Sequence, residues 1–298
     1  MNQRKLGRTG LLVPEISFGC GPVSGLLTGS DFALQLATVK RALDAGIDWF
    51  DTAAGYGNGS SEANLGRVLK ELGATPRIAT KVRILDDGFD RIKECVRESV
   101  HASLVRLGVE SVELLQLHNG ITRSRGDEPA SVSPADASAA LAVFKKLQSE
   151  GIVRHIGLTG TGRPEALREV VRTGGFDTLQ VPYNILNPSA GGGPVPPGET
   201  DYGNIIADCA KQNMGVFAIR VLAGGALLGQ PPSAHTLKTS YFPLALYERD
   251  SHRAKEMGGS AGAAVRFVLD HPQITSAIVG YGTPNQVDTS LSLPRAVD

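Results

Sequence analysis

Short apolar runs alternate with longer amphipathic segments along almost the whole chain. The short runs are bounded by glycine or charged residues and are too short for helices, which favours strands. They end near residues 19–21 and at residue 51, and then lie over 77–82, 112–117, 153–158, 178–181, 215–221 and 274–279. The longer segments repeat apolar residues at helical spacing, which predicts helices over 31–45, 61–72, 89–107, 135–150, 164–172, 202–212, 253–269 and 284–293. Asp31 and Ser61 are the predicted N-cap residues of the first two helices.

This regular alternation of strand and helix predicts a parallel sheet covered by helices. The segment that begins at Gly19 has no glycine at its sixth position and contains Pro22, so it is not a dinucleotide-binding GxGxxG motif. A chain of 298 residues is long enough for a (β/α)8 barrel, which needs about 250. Residues 4–18 alternate around Gly-Arg-Thr-Gly, which indicates a β-hairpin. We therefore expect one α/β domain over residues 1–298, a closed (β/α)8 TIM barrel with an N-terminal β-hairpin.

Three connections, residues 119–134, 187–201 and 222–243, are longer than a barrel requires. All three follow predicted strands, so they are expected at the C-terminal rim, where the active sites of such barrels lie. The middle one contains Gly-Gly-Gly-Pro-Val-Pro-Pro. We interpret it as a surface loop and not as a domain linker, because strand and helix units continue beyond it.

Composition narrows the possible partners and the compartment. Lys plus Arg and Asp plus Glu number 30 each, so there is no electrostatic argument for nucleic acid or an anionic membrane surface. The chain has no apolar run of membrane-spanning length and no secretory signal pattern, so we expect a soluble cytoplasmic protein. Cys20, Cys95 and Cys209 are far apart and lack the spacing of metal ligands. We expect them to be buried free thiols in a reducing compartment, and we expect no metal.

Four polar side chains lie at or just after the ends of predicted strands. Asp51 ends an apolar run and Tyr56 follows on a glycine-flanked loop, while Lys81 and His118 each close a later strand. Taken singly, each has an ordinary explanation: a turn residue, rim packing, a solvated charge and a structural histidine. Their joint occurrence at one rim of a barrel favours a catalytic site.

In order and spacing, these residues resemble the catalytic tetrad of the aldo-keto reductase superfamily. The matching segments are Asp51-Thr-Ala-Ala-Gly-Tyr-Gly, Ile-Ala-Thr-Lys81-Val and Leu-Leu-Gln-Leu-His118-Asn. Further similarity extends from Leu6-Gly-Arg-Thr-Gly to Ile278-Val-Gly. The resemblance implies an oxidoreductase that interconverts a carbonyl compound (an aldehyde, ketone or sugar) and an alcohol, with NADP(H) or NAD(H) as cofactor.

The resemblance also implies a role for each residue. Tyr56 would be the general acid in reduction and the general base in oxidation. A free phenol is a weak acid at neutral pH, and the Lys81 ammonium would favour its phenolate form. Asp51 would hold Lys81 and keep it protonated. His118 would hydrogen-bond the carbonyl oxygen and help in proton transfer.

On the cofactor side, the resemblance assigns contacts on three further strands. Thr159 and Gln180 match positions that hold the nicotinamide carboxamide. Ile219 stands where relatives often place an aromatic ring against the nicotinamide, so it would offer an apolar contact instead. Arg220 is a candidate contact for the pyrophosphate or the substrate, and a solvated charge is the alternative.

The turn after the last strand matches the site of the adenosine phosphate. Gly280, Gly282, Thr283 and Gln286 are the candidate contacts, because a helix that starts there would present free backbone N–H groups to an anion. Gly282 stands where an arginine is frequent, and residues 280–290 contain neither Lys nor Arg. NAD(H), or use of both cofactors, therefore remains open beside NADP(H).

Two alternatives also remain open. Lys81 could form a Schiff base, as in some barrel lyases. The chain could instead be a cofactor-binding regulatory subunit without turnover, as some members of the superfamily are. The substrate, the preferred direction of the reaction and the oligomeric state cannot be predicted from the sequence.

Overall fold

The computed structural model describes residues 1–239, 244–257 and 261–291. Its strands are β1 (Gln3–Lys5), β2 (Leu12–Pro14), β3 (Ile16–Gly19), β4 (Trp49–Asp51), β5 (Arg77–Val82), β6 (Val112–Leu117), β7 (Val153–Thr159), β8 (Thr178–Pro182), β9 (Gly215–Ile219) and β10 (Ser276–Gly280). β1 and β2 pair antiparallel as the hairpin. β3 to β10 form a closed barrel in chain order, in which β10 lies between β9 and β3. The predicted (β/α)8 barrel with an N-terminal hairpin is confirmed.

Helices connect the barrel strands. They are α1 (Phe32–Asp44), α2 (Ser60–Leu72), α3 (Ile92–Leu107), α4 (Pro134–Ser149), α5 (Pro164–Arg172), α6 (Ile205–Lys211), α7 (Leu244–Met257), α8 (Ala261–Leu269) and α9 (Pro284–Leu291). Local sequence explains several of their ends. The Asp31 carboxylate accepts from the Leu34 N–H at 3.0 Å and caps α1, as predicted. Gly73 and Gly108 end α2 and α3 in the left-handed conformation.

Several predicted boundaries are wrong. The helix expected from residue 89 starts at Ile92, because Asp86–Arg91 forms a 3-10 helix. The helix expected from residue 253 begins earlier, because α7 starts at Leu244; α8 covers Ala261–Leu269, and residues 258–260 lie outside the described residues. The predicted end of the last helix, at residue 293, lies outside the described residues.

Two further differences concern the strand and helix near the cofactor side. β9 ends at Ile219 and not at residue 221, because Arg220 adopts a positive φ of 55° that ends the extended backbone. The helix predicted from residue 202 begins at Ile205, after Asn204 with a positive φ of 58°. The end of β9 thus turns sharply at the barrel rim.

The long loops contain local structure. In the first, Ile121 forms bridges with Val132 and with Gly162. The second contains a 3-10 helix at Ser189–Gly191. The third contains one at Ala223–Leu228, and its residues 240–243 lie outside the described part of the chain.

The barrel interior has an apolar layer below a polar one. The apolar cluster consists of Leu6, Val13, Trp49, Ala79, Leu114, Phe217 and Ile278. Two residues further along β4, β5 and β6, on the same face of each strand, come Asp51, Lys81 and Gln116. A much larger apolar core lies between the barrel and the helices. The strand period therefore places the polar residues above a dry floor, toward the C-terminal mouth.

The cysteines are free thiols; Cys20 and Cys209 are buried as expected, whereas Cys95 is only half-buried. Within the described ranges, no group of three or more His, Cys, Asp or Glu side chains could hold a metal ion. No helix among the described residues is long and apolar enough to cross a membrane.

Candidate active site

A buried lysine joins two of the predicted catalytic residues at the mouth of the barrel. Lys81 is 1% exposed, and its Nζ lies 2.5 Å from Asp51 Oδ1 and 3.1 Å from the Tyr56 hydroxyl. A third contact joins Nζ to the Thr52 carbonyl oxygen at 2.9 Å. All three donor positions of the ammonium are therefore used inside the site.

The charge state of Lys81 follows from these neighbours. Burial alone would favour a neutral amine, but the negative charge of Asp51, followed by the interaction with Tyr56, outweighs it. As a result the pKa of Lys81 is raised above its ordinary value of 10.5. The side chain is an ammonium at neutral pH and faces the phenol as a cation.

His118 follows β6 and completes the group. Its ring lies edge-on to the Tyr56 ring, with 5.6 Å between centroids and 83° between the planes. Burial, followed by the positive charges of Lys81 and Arg83, lowers the pKa of His118 to about 3. The imidazole is therefore neutral at neutral pH, with one nitrogen able to donate a hydrogen bond and the other able to accept one.

Asp51 has two amide partners besides Lys81. Gln116 Nε2 donates to Asp51 Oδ2 at 3.1 Å, and Gln180 Nε2 donates to the same oxygen. These donors satisfy a carboxylate that is only 3% exposed. Gln116 was missed in the sequence. Its signal is a polar residue between Leu115 and Leu117 near the end of β6, two positions before His118 and on the same face.

Hydrogen bonds of Ser61 join the two ends of the loop that carries Tyr56 and tie it to the end of β3. The Ser61 hydroxyl contacts the Thr52 hydroxyl at 2.9 Å and donates to the Cys20 carbonyl oxygen at 2.9 Å. The predicted capping role of Ser61 is wrong, because α2 begins at Ser60 and its N-cap is Gly59. Sequence spacing alone could not show that Ser61 faces the barrel.

On the neighbouring strands, Thr159 and Gln180 lie opposite each other in the β7–β8 register. The Thr159 hydroxyl is buried and has no hydrogen-bond partner among the described residues. The side-chain nitrogen of Gln180 donates to Asp51, and its side-chain oxygen, Oε1, can act as an acceptor. A side chain at Gly160 would place its Cβ 2.9 Å from the backbone carbonyl oxygen of Gln180, so there is no room for a side chain at this position.

Ile219 is the last residue of β9, and Arg220 follows it. Ile219 is half-buried and packs on the apolar cluster inside the barrel. Arg220 is half-buried, and its carbonyl oxygen accepts from Asn184 Nδ2 at 2.9 Å. Ile219 pairs with Pro182 of β8, whereas Arg220 lies just beyond the β8–β9 pairing.

The candidate phosphate turn lies between β10 and α9. The Gly282 N–H donates to Gln286 Oε1 at 2.6 Å, and the Gln286 N–H contacts Thr283 Oγ1 at 3.4 Å. Gly280 is exposed at the end of β10, and a Cβ built on it would lie 3.4 Å from Ser24 Cβ. Gln286 thus occupies the Gly282 N–H itself, and an anion at that group would have to displace this side chain.

The candidate residues fall on two halves of the barrel. Asp51, Lys81 and His118 lie at or just after the ends of three adjacent strands, β4 to β6. The candidate cofactor contacts lie on or after the next four strands, β7 to β10. Chemically, the first half presents a phenol beside a fixed cation and a neutral imidazole. This combination can move a proton to or from an oxygen atom.

The closed (β/α)8 barrel thus carries a buried Lys–Asp pair, a tyrosine and a histidine at its mouth. The sequence profile of the Aldo/keto reductase family matches residues 15–294, and the chain belongs to this family.

Two relatives match nearly the whole chain. L-galactose dehydrogenase of Arabidopsis thaliana is 28% identical, and the alignment covers 97% of this chain and 86% of the relative. D-threo-aldose 1-dehydrogenase of Pseudomonas sp is 27% identical, with 93% and 88% covered. Among solved structures, the holo form of an aldo-keto reductase from Bacillus halodurans superposes with a TM-score of 0.75. It shares 22% sequence identity, with 100% of this chain and 92% of that chain covered, and supports the fold.

Proposed function

We propose that this protein is an NAD(P)-dependent oxidoreductase that interconverts a carbonyl compound and an alcohol, with Tyr56 as the general acid and base. The observation that carries the proposal is the contact of 3.1 Å between the Lys81 ammonium and the Tyr56 hydroxyl. A cation at this distance stabilises a phenolate and so makes the phenol a better proton donor. Membership of the Aldo/keto reductase family supports the same class of reaction.

Each of the four residues has a distinct task. In reduction, Tyr56 gives its proton to the carbonyl oxygen, and Lys81 stabilises the phenolate that remains. Asp51 keeps Lys81 charged and fixed through the contact of 2.5 Å. Neutral His118, whose ring is edge-on to Tyr56, donates a hydrogen bond to the same substrate oxygen. In oxidation the phenolate accepts the proton from the alcohol.

The residues of β7 and β8 fit a nicotinamide. When bound, the cofactor supplies or accepts the hydride. The unpartnered Thr159 hydroxyl can donate to the oxygen of a carboxamide, and the Gln180 carbonyl oxygen can accept from its nitrogen. Ile219 offers an apolar contact at the neighbouring strand end. Arg220 is a proposed contact for the pyrophosphate or the substrate.

The charge of the phosphate turn bears on the choice of cofactor. Gly280, Gly282, Thr283 and Gln286 are the proposed contacts for the adenosine phosphate, and residues 280–290 contain no Lys or Arg. A bidentate arginine is a strong partner for a phosphate, so its absence lowers the advantage of the 2′-phosphate of NADP(H). We therefore expect NAD(H) to bind in the same affinity range as NADP(H).

The alternatives are weakened by the same geometry. A Schiff base requires a neutral lysine, whereas Asp51 and Tyr56 raise the pKa of Lys81. A regulatory subunit without turnover would not need the Lys81–Tyr56 contact.

The names of the two relatives, L-galactose dehydrogenase and D-threo-aldose 1-dehydrogenase, favour aldoses as the first substrates to test.

The test begins with fluorescence titrations of the protein with NADH and with NADPH. Aldose oxidation and aldehyde reduction are then followed by the absorbance of the reduced cofactor. We expect saturable binding of both cofactors and turnover of at least one substrate class. Binding without turnover across the panel would support the regulatory subunit. Failure to bind either cofactor would overturn the proposal, and borohydride trapping of substrate on Lys81 would identify the lyase.

A further inference from the structure

A fully buried carboxylate lies behind the tetrad and is not part of it. Glu62, in the first turn of α2, is 0% exposed. Its Oε1 accepts from the Thr80 hydroxyl at 2.5 Å, and its Oε2 accepts from Arg106 Nε at 2.7 Å. Arg106 Nη2 adds a second contact to Oε2 at 2.6 Å. A buried charge persists only when it is paired and hydrogen-bonded, and Glu62 meets both conditions.

Through Thr80, Glu62 is attached to the strand that carries the catalytic lysine. Thr80 and Lys81 are consecutive in β5, so their side chains leave the strand on opposite faces. Lys81 faces the interior of the barrel, and Thr80 faces α2. The hydrogen bond to Glu62 therefore fixes the outer side of the backbone from which Lys81 projects.

Through Arg106, the same carboxylate supports the loop that carries Tyr56. Gly59, the last residue of this loop, has a positive φ of 89°. A Cβ built on Gly59 would lie 2.8 Å from Arg106 Cδ, so the arginine packs directly against the loop backbone. At the start of α2, the Ser61 N–H donates to the Tyr56 backbone carbonyl oxygen at 3.3 Å and so ties the loop to the helix.

We infer that Glu62 and Arg106 are positioning residues that set the distance between the Lys81 ammonium and the Tyr56 hydroxyl. One end of this contact depends on β5, which Glu62 fixes at Thr80, and the other depends on the loop that Arg106 supports at Gly59. The inference rests on the proposed function, because it concerns the acid–base pair of that reaction. A small displacement of either end would weaken the stabilisation of the phenolate.

A second ion pair provides a matched control on another part of the barrel. Asp208 of α6 accepts from Arg168 Nε of α5 at 2.6 Å. The exposed fractions of the Asp208 and Arg168 side chains are 4% and 29%, against 0% and 29% for Glu62 and Arg106. Arg168 also packs against a glycine of positive φ, Gly203. No hydrogen bond joins Asp208 to β4, β5 or β6 within the described residues.

The experiment compares Glu62→Gln with Asp208→Asn. Each variant leaves a half-buried arginine without its carboxylate, so we expect both to lower the melting temperature. Only Glu62→Gln is expected to lower kcat, by roughly 10-fold or more, with unchanged dissociation constants for the cofactor. Alcohol oxidation requires the phenolate, so the pH at which Glu62→Gln reaches half of its maximal oxidation rate should rise by about one unit. Asp208→Asn should keep the wild-type profile.

Several described titratable groups around the phenol bear on this profile. Lys81 of β5 contacts the hydroxyl directly, His118 after β6 lies edge-on to the ring, and Asp51 of β4 lies behind Lys81. The Cys20 thiol, after β3, is near enough to feel the charges of Asp51 and Lys81. The substitution at Glu62 changes none of these side chains. Loss of its negative charge would by itself favour the phenolate and lower the midpoint, so a rise reports their placement.

Equal kcat and equal pH midpoints in Glu62→Gln and the wild type would overturn the inference. If Glu62→Gln does not fold, Thr80→Val and Arg106→Lys remain as milder changes. Thr80→Val removes only the hydrogen bond to β5, and Arg106→Lys keeps the charge. Both should shift the midpoint in the same direction by a smaller amount, and wild-type profiles in both would also overturn the inference. Absence of turnover in the wild type would contradict the proposed function itself.

Discussion

The ionic state of Lys81 is decided by two neighbours and not by its burial. A lysine with 1% exposure would ordinarily lose its proton, yet Asp51 holds it as an ammonium. The side-chain amides of Gln116 and Gln180 both donate hydrogen bonds to Asp51. The contact between the ammonium and Tyr56 therefore depends on a network that extends across four strands, β4, β5, β6 and β8.

His118 gives a prediction at the scale of one residue. Its pKa is lowered from the ordinary 6.5 to about 3, so between these values the unfolded chain binds a proton that the folded protein does not. His118 therefore makes the folded state less stable as the pH falls through this window, and contributes no pH dependence above it. We expect His118→Gln to lose less stability than the wild type between neutral pH and pH 5.

The measurement is urea unfolding at the two pH values. His101→Gln, an exposed position on α3, is the control and should keep the wild-type pH dependence. An unchanged pH dependence in His118→Gln would show that the imidazole is not held neutral by its surroundings.

At the scale of elements, the hairpin closes the bottom of the barrel. Leu6, just after β1, is 0% exposed and packs with Trp49 and Phe217 inside the barrel. We expect Leu6→Ala to cost about 2–5 kcal/mol in the free energy of unfolding, the range for a cavity in a packed core. Activity at low temperature should be retained, because Leu6 lies below the polar layer.

Leu12 of β2, on the same hairpin, offers the matched control. It is 53% exposed, so Leu12→Ala should change the free energy of unfolding by no more than about 0.5 kcal/mol. Denaturant unfolding measures both variants. An equal and small effect in the two would show that Leu6 does not close the barrel.

The sequence predicts those parts of the structure that depend on local patterns. β4, β5 and β6 are predicted well, because each apolar run stops at a polar residue or a glycine. The early end of β9 was missed, because apolar residues continue beyond it. Arg220 ends β9 through its backbone conformation, which no side-chain pattern reveals.

The site shows the same division. The sequence identifies Asp51, Tyr56, Lys81 and His118 as candidates through their positions at or just after strand ends, and the structure brings them together. Gln116 and Glu62 were missed, because their partners are far away in the chain. Glu62 is 44 residues from Arg106, and Gln116 is 65 residues from Asp51. Contacts of this kind follow from the closure of the barrel and not from spacing.

At the scale of the whole molecule, the two proposed sets of site residues lie on two separate groups of adjacent strands. β4 to β6 and the segments after them carry the proposed acid–base residues, and β7 to β10 carry the proposed cofactor contacts. Gln180 of β8 belongs to both, because its nitrogen donates to Asp51 and its side-chain oxygen is a proposed acceptor for the carboxamide. The two halves meet at the mouth, where a substrate carbonyl would lie between Tyr56 and the nicotinamide.

The most direct test of this account is the rate of a single turnover in Tyr56→Phe, with the reduced cofactor bound beforehand and an active carbonyl substrate added. Tyr202→Phe, at a buried tyrosine before α6, serves as the control. The account predicts that Tyr56→Phe binds cofactor normally but loses about 10² or more of the rate, the scale of general acid catalysis. A wild-type rate in Tyr56→Phe would contradict the role of this tyrosine.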